Sequence, residues 1–129
     1  MDNKKKKIDL WAFYKKNVRH NDPLITFSLD SIEFHENIRW TLEKLKNEKP
    51  TPGTSHDWNA AICALEIHMP EFTKVYKKFR KRMTEKNAQA FSDAFDEINP
   101  ALQMAKNAMF NSMLREHWNE VQDVLRAKE

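Results

Sequence analysis

The chain has 129 residues, a formal net charge of +3 and 32% charged residues, and 40% of its residues are hydrophobic. This composition is typical of one folded domain with a charged surface, and it excludes both an intrinsically disordered chain and the dense positive charge of a DNA-compacting protein. Gly53 is the single glycine, whereas the hairpins of β-sheets need glycine at many of their turns. The sequence therefore predicts an all-α protein.

Residues 1–8 include the run Lys4 to Lys7 and are predicted to form a mobile, basic N-terminal arm ahead of a helical domain over residues 9–129. The first predicted helix covers roughly residues 9–20. Pro23 disfavours helix at Asp22, so LITFSL, residues 24–29, is interpreted as an extended connector or a short strand. A second helix is predicted to begin at Asp30 or Ser31 and to end near residue 47, before the loop NEKPTPGTS.

Two prolines are predicted to divide the second half of the chain into further helices. Pro70 is expected to end a third helix and to begin a fourth over residues 70–86, and Pro100 to separate a short helix from a last helix that ends near Ala127. The sequence thus predicts a compact single-domain bundle of five or six helices.

The last predicted helix is apolar over a large part of its circumference, which is typical of a helix with partners on several sides. We expect it to be either the central helix of the bundle or the surface at which a homodimer forms. Two apolar sets support this: Phe110, Leu114, Trp118, Val121 and Leu125 along one stripe, and Leu102, Ala105, Met109 and Met113 on a neighbouring face.

The sequence offers no catalytic or metal-binding pattern. One glycine cannot build a loop that cradles phosphate groups. His117 and Glu120 have the spacing of two metal ligands on a helix, but two ligands alone are a weak signal. Cys63 lies in an apolar stretch and is predicted to be a small buried side chain. We therefore expect no enzyme activity, no cofactor and no metal, and no apolar run approaches the roughly 18 residues of a membrane span. A single cysteine favours the cytoplasm.

The segment PEFTKVYKKFRKRMTEK, residues 70–86, combines an apolar helix face with a basic one. Like charges one helical turn apart repel by a few tenths of a kcal/mol. The presence of several lysines and arginines at this spacing therefore indicates a negatively charged partner. The alternative interpretation is an ordinary solvated helix face. Trp40 lies off the apolar line of its helix and, if exposed, is a candidate anchor. The predicted partner-binding residues are Lys74, Lys77, Lys78, Arg80, Lys81, Arg82 and Trp40.

These features predict a small binding protein, an inhibitor or adaptor that occupies a surface of a larger protein or nucleoprotein complex. The short Lys- and Asn-rich chain fits a phage or mobile-element origin. The alternative function is nucleic-acid binding through the same basic face. Because the aromatic residues of the segment lie on its apolar side, such binding is expected to follow the phosphate backbone without reading the base sequence.

Overall fold

The computed structural model describes residues 9–128, which form four α-helices and no β-strand. α1 spans Leu10–Asn17, α2 spans Pro23–Asn47, α3 spans Ser55–Lys81 and α4 spans Glu85–Ala127. The predicted compact all-α fold is confirmed, whereas the predicted number of five or six helices is wrong for this part of the chain. The predicted basic arm, residues 1–8, lies outside the described residues. No helix between residues 9 and 128 has the combination of length and apolarity that crossing a bilayer demands.

The predicted connector at residues 24–29 is instead the start of α2. The Asp22 side chain accepts a hydrogen bond from the Leu24 N–H at 2.9 Å, and Pro23 occupies the first helical turn. A proline there loses no helical hydrogen bond, because the first N–H groups have no partner within the helix. The helix is needed to bury Phe27, which is 0% exposed. Its ring centroid lies within 5.7 Å of those of Trp11, Tyr14, Phe79 and Phe91.

Both α3 and α4 continue through their internal prolines, Pro70 and Pro100. An internal proline costs about 3 kcal/mol, because it removes a hydrogen bond and crowds the preceding turn. Burying one large apolar side chain contributes about 1.5–3 kcal/mol, so several buried residues on both sides outweigh that cost. The buried residues keep one helical phase across each proline: Leu65, Phe72 and Phe79 in α3, and Phe91, Phe95, Ile98, Leu102 and Ala105 in α4.

The first two thirds of α4 form the central helix of the bundle, in contact with α1, α2 and α3. α1 is fastened to it by hydrogen bonds, since the Ser92 hydroxyl accepts from the Trp11 N–H at 3.2 Å and donates to Asp9 Oδ1 at 3.0 Å. Burial raises the pKa of Asp9, but hydrogen bonds from the Ala12 N–H, Ser92 and Gln89 outweigh it and lower that pKa below its usual value. α1 is therefore an integral part of the bundle.

The loop between α2 and α3 is attached to α4 at Ser112. Thr51 donates its N–H to Ser112 Oγ and its hydroxyl to the Ser112 carbonyl oxygen, both at 2.8 Å. Trp58, near the start of α3, donates its indole N–H to the Leu45 carbonyl at 2.9 Å. Ser112 is also the last buried residue of α4, so this loop marks the end of the bundle.

Candidate partner-binding surface

The four lysines of the predicted basic face lie together on the solvent side of α3. They are exposed, and they point away from Phe72 and Phe79, which α3 buries in the core. Since α3 also contacts both α2 and α4, this surface is held on a helix whose rotation is fixed by packing. We call it the lysine face: Lys74, Lys77, Lys78 and Lys81.

The positive charges of the lysine face have no acidic partner in the described part of the chain. Residues 9–128 contain four ion pairs, and none of them includes a residue of the lysine face. Arg39 pairs with both Glu36 and Glu43 on α2. The other two pairs join Lys44 to Glu48 and Lys46 to Glu66. The lysine ammonium groups therefore remain available to solvent or to a partner.

The two arginines of the predicted set behave differently from the lysines. The guanidinium of Arg80 donates through Nη1 to the carbonyl oxygen and the hydroxyl of Ser28 on α2, at 3.2 and 3.1 Å. Arg82 follows the end of α3, and its carbonyl oxygen accepts a hydrogen bond from Asn87 Nδ2 at 2.8 Å. Arg80 thus helps to fasten α3 to α2, and Arg82 lies at the edge of the lysine face.

An acidic groove of about 340 Å³ runs between α3 and α4 beside the lysine face. On α3 the groove is lined by Glu71 and Val75. Lys74 and Lys78 each follow one of these residues by one helical turn and therefore border the groove. The groove was not predicted, because the acids of α4 look like an ordinary polar helix face until α3 is placed beside them. It is lined by Glu71, Val75, Ala90, Asp93, Ala94, Asp96 and Glu97.

His35 of α2 packs against the inner side of the helix turn that carries Lys77. Its ring stacks on Tyr76, with centroids 4.1 Å apart and planes within 5°, and its Nε2 lies 3.0 Å from Thr73 Oγ1. Burial lowers the pKa of His35 below the usual 6.5; nearby Glu36 raises it, and the positive charges of Arg39 and Lys77 lower it further. This contact fixes the orientation of α3 below the lysine face.

Trp40 is 52% exposed, so the condition for its predicted role as an anchor is met, but the structure does not place it with the lysines. It lies beside a groove of about 450 Å³ that is lined by residues of α2, α3 and α4, including Trp58, Phe110 and Met113. The Lys44 ammonium lies 5.2 Å from the Trp40 ring centroid. None of the predicted basic residues lines this groove, so Trp40 and the predicted basic residues belong to two separate surfaces.

The predicted burial of Cys63 is wrong, because its side chain is exposed on α3. The apolar stretch around it belongs to a helix with one buried side, and Cys63 falls on the other. Among residues 9–128 no group of three or more His, Cys, Asp or Glu side chains is arranged to hold a metal ion.

The chain matches no protein-family model, and neither a curated protein nor a solved structure shows significant similarity to it. Its function must therefore be inferred from the surfaces described above.

Proposed function

We propose that this protein is a non-enzymatic binding protein, an inhibitor or adaptor, that occupies an acidic surface of a larger protein or nucleoprotein partner through its lysine face. The observation that carries the proposal is the set of four exposed lysines on one side of α3, none of which is paired with an acid in the described part of the chain. A cytoplasmic location belongs to the same proposal, and a phage or mobile-element origin stays a prediction from composition.

The arrangement suits electrostatic docking. Lys74 and Lys81 are about 10 Å apart along the helix axis, at 1.5 Å per residue, so the four ammonium groups concentrate positive charge on a small area. Such a field accelerates encounter with an acidic surface and orients the two molecules. Because α3 is held by α2 and α4 on its other sides, little backbone ordering is needed on binding.

The acidic groove favours a protein partner over a bare nucleic-acid backbone. Glu71, Asp93 and Glu97 lie in the groove that borders the lysine face, and their carboxylates would repel phosphate groups that follow the lysines. A protein surface with acidic groups opposite the lysines and basic or polar groups opposite the groove would be complementary both to the lysine face and to the acidic groove. Exposed aromatic side chains, on which bases stack, are also missing from the lysine face, since Phe72 and Phe79 are buried.

Affinity purification from the native host tests the proposal. We expect the wild-type protein to capture a defined partner and the variant Lys77→Glu/Lys81→Glu to lose it, chiefly through a slower association rate. The matched control is Lys16→Glu/Lys106→Glu, which makes the same charge change at exposed positions of α1 and α4. Recovery of chaperones alone, or equal capture by both variants, would contradict the proposal.

Binding to random duplex DNA at several salt concentrations tests the nucleic-acid alternative. Phosphate contacts made by lysines give a steep fall of log K with log [salt], with a slope of about −0.9 for each neutralised phosphate. A steep slope that the Lys77→Glu/Lys81→Glu variant abolishes would establish nucleic-acid binding and displace the protein-partner proposal. Binding that is absent or insensitive to salt is the result we expect.

A further inference from the structure

The last third of α4 projects beyond the bundle. After Ser112 no residue of α4 is buried, although the helix continues to Ala127. Residues 113–127, which we call the projecting segment, extend for about 22 Å at 1.5 Å per residue. Within residues 9–128, no other helix packs along this segment so as to bury any of its side chains.

The projecting segment carries an apolar face that begins one turn earlier, at Phe110. At about 100° per residue, its seven apolar side chains fall within a sector of about 140°, with His117 among them. Phe110, Met113 and Trp118 are 55%, 58% and 56% exposed. We call this surface the C-terminal apolar face: Phe110, Met113, Leu114, Trp118, Val121, Val124 and Leu125.

From Leu114 onward the C-terminal apolar face points away from the bundle, whereas Phe110 and Met113 at its base also line the groove beside Trp40. In the preceding turns the same side of α4 is polar and carries Asn99, Gln103 and Lys106. The bundle instead packs on the opposite side of α4, where Ala105 and Ala108 are buried. The apolar stripe thus crosses from the inner to the outer side of the helix near Phe110. A continuation of the core would have kept the apolar residues on the inner side, so this face is suited to a partner outside the bundle.

We propose that this partner is a second copy of the chain, joined through a parallel pair of projecting segments related by a two-fold axis along the helices. The charges beside the apolar face support a partner of this kind. Glu116 and Glu120 lie along one flank of the face, and Arg115 and Arg126 lie toward the other. In a parallel pair the acidic flank of each helix lies nearest the basic flank of its partner, whereas an antiparallel pair brings like flanks together.

The available area is in the range that a two-fold dimer requires. A buried Phe or Trp covers about 150–250 Å², so Phe110 and Trp118, each about half exposed, have roughly 100 Å² each left to bury. With the five aliphatic side chains, the pair would bury on the order of 1,000 Å², the lower limit for a specific interface. A dissociation constant in roughly the micromolar range is expected for such an area.

Sedimentation velocity of the full chain between about 1 and 100 μM tests the dimer, because this range brackets the expected constant. The wild type should pass from monomer to dimer, and Leu114→Glu and Trp118→Glu should each weaken the dimer about 100-fold or more. Ile67→Glu is the matched control, since Ile67 is 73% exposed on α3. Circular dichroism confirms that each variant is folded. A monomer throughout the range, a larger assembly, or a dimer that survives both substitutions would overturn the proposal.

A cysteine at the end of the projecting segment tests the parallel orientation. In a Cys63→Ser background, Lys128→Cys should form a disulfide-linked dimer under mild oxidation, because parallel helices bring their C-terminal ends together. Ends that lie about 20 Å or more apart in an antiparallel pair cannot be bridged, so failure to cross-link a protein that does dimerise would overturn the orientation. The Lys77→Glu/Lys81→Glu variant should still dimerise, which keeps this test separate from that of the proposed function.

Discussion

The two parts of α4 have the same kind of amphipathic sequence, but one part is packed inside the bundle and the other is not. Residues 85–112 bury one apolar residue after another against the other three helices, and residues 113–127 bury none. Both parts are amphipathic with spacings of three and four residues. They differ in direction, because the apolar stripe lies on the inner side of the helix up to Ala108 and on the outer side from Leu114 onward, with Phe110 and Met113 between them at the groove beside Trp40. An amphipathic pattern therefore shows that a helix has an apolar face. Whether that face lies in the core depends on its direction relative to the apolar residues of the neighbouring turns.

The largest expected effect contrasts a leucine in each part of α4. Leu102 is 3% exposed and Leu114 is 48% exposed. Leu102→Ala should lower the free energy of unfolding by about 2–5 kcal/mol, because it removes buried contacts and leaves a cavity. Leu114→Ala should change it by less than about 0.5 kcal/mol when the protein is dilute enough to be monomeric. Urea unfolding measured well below 1 μM, roughly the expected dissociation constant, provides both values.

Similar losses of stability for the two leucine variants under those conditions would show that the projecting segment is part of the cooperative core. The division of α4 at Ser112 would then be wrong.

A smaller effect is expected at the boundary residue itself. Ser112→Ala removes the hydroxyl that accepts the Thr51 N–H at 2.8 Å, and a part-buried donor left without a partner costs about 1–3 kcal/mol. The matched control is Asn111→Ala, one residue earlier on an exposed side of α4, which should change stability by about 0.5 kcal/mol or less. Thermal unfolding compares the two, and equal effects would remove Ser112 as the attachment point of the loop.

The bundle should also weaken in mild acid through His35. Because its pKa is lowered in the folded state, the unfolded chain binds the proton first as the pH falls. Stability is complete above the usual pKa of 6.5 and is lost as the pH falls through it toward the lowered folded value. Denaturant unfolding should be measured between about pH 8 and pH 5, limits that bracket the ordinary His range. Over this range the free energy of unfolding should fall less in His35→Phe than in the wild type. Parallel pH profiles for the two proteins would contradict this assignment.

Most of the helical content could be predicted from the sequence, but the ends of some helices could not. The predicted ends near residues 47 and 127 agree with α2 and α4. The local cost of Pro70 and Pro100 predicts helix boundaries at both, although the apolar spacing from Leu65 to Phe79 keeps one phase across Pro70 and indicates a single helix. The boundaries are wrong because burial on both sides of a proline contributes more free energy than the proline costs.

The part of the candidate surface that lies on one helix could be predicted from the sequence, whereas the parts that depend on two packed helices could not. Which side of α3 the lysines occupy follows from helical spacing within one element, and the structure agrees. The Ser28 contact of Arg80, the acidic groove and the separation of Trp40 from the lysines each depend on a second helix packed alongside. Contacts between elements distant in sequence cannot be read from the period of either one.

Amide hydrogen exchange at two protein concentrations tests most directly the proposal that the two parts of α4 have different partners. At about 1 μM, near the low end of the range expected for the dimer, the amides of residues 88–112 should be protected close to the global free energy of unfolding, and those of residues 114–126 should exchange much faster. At about 100 μM the second group should become protected while the first is unchanged. Protection of residues 114–126 that is the same at both concentrations would contradict the account.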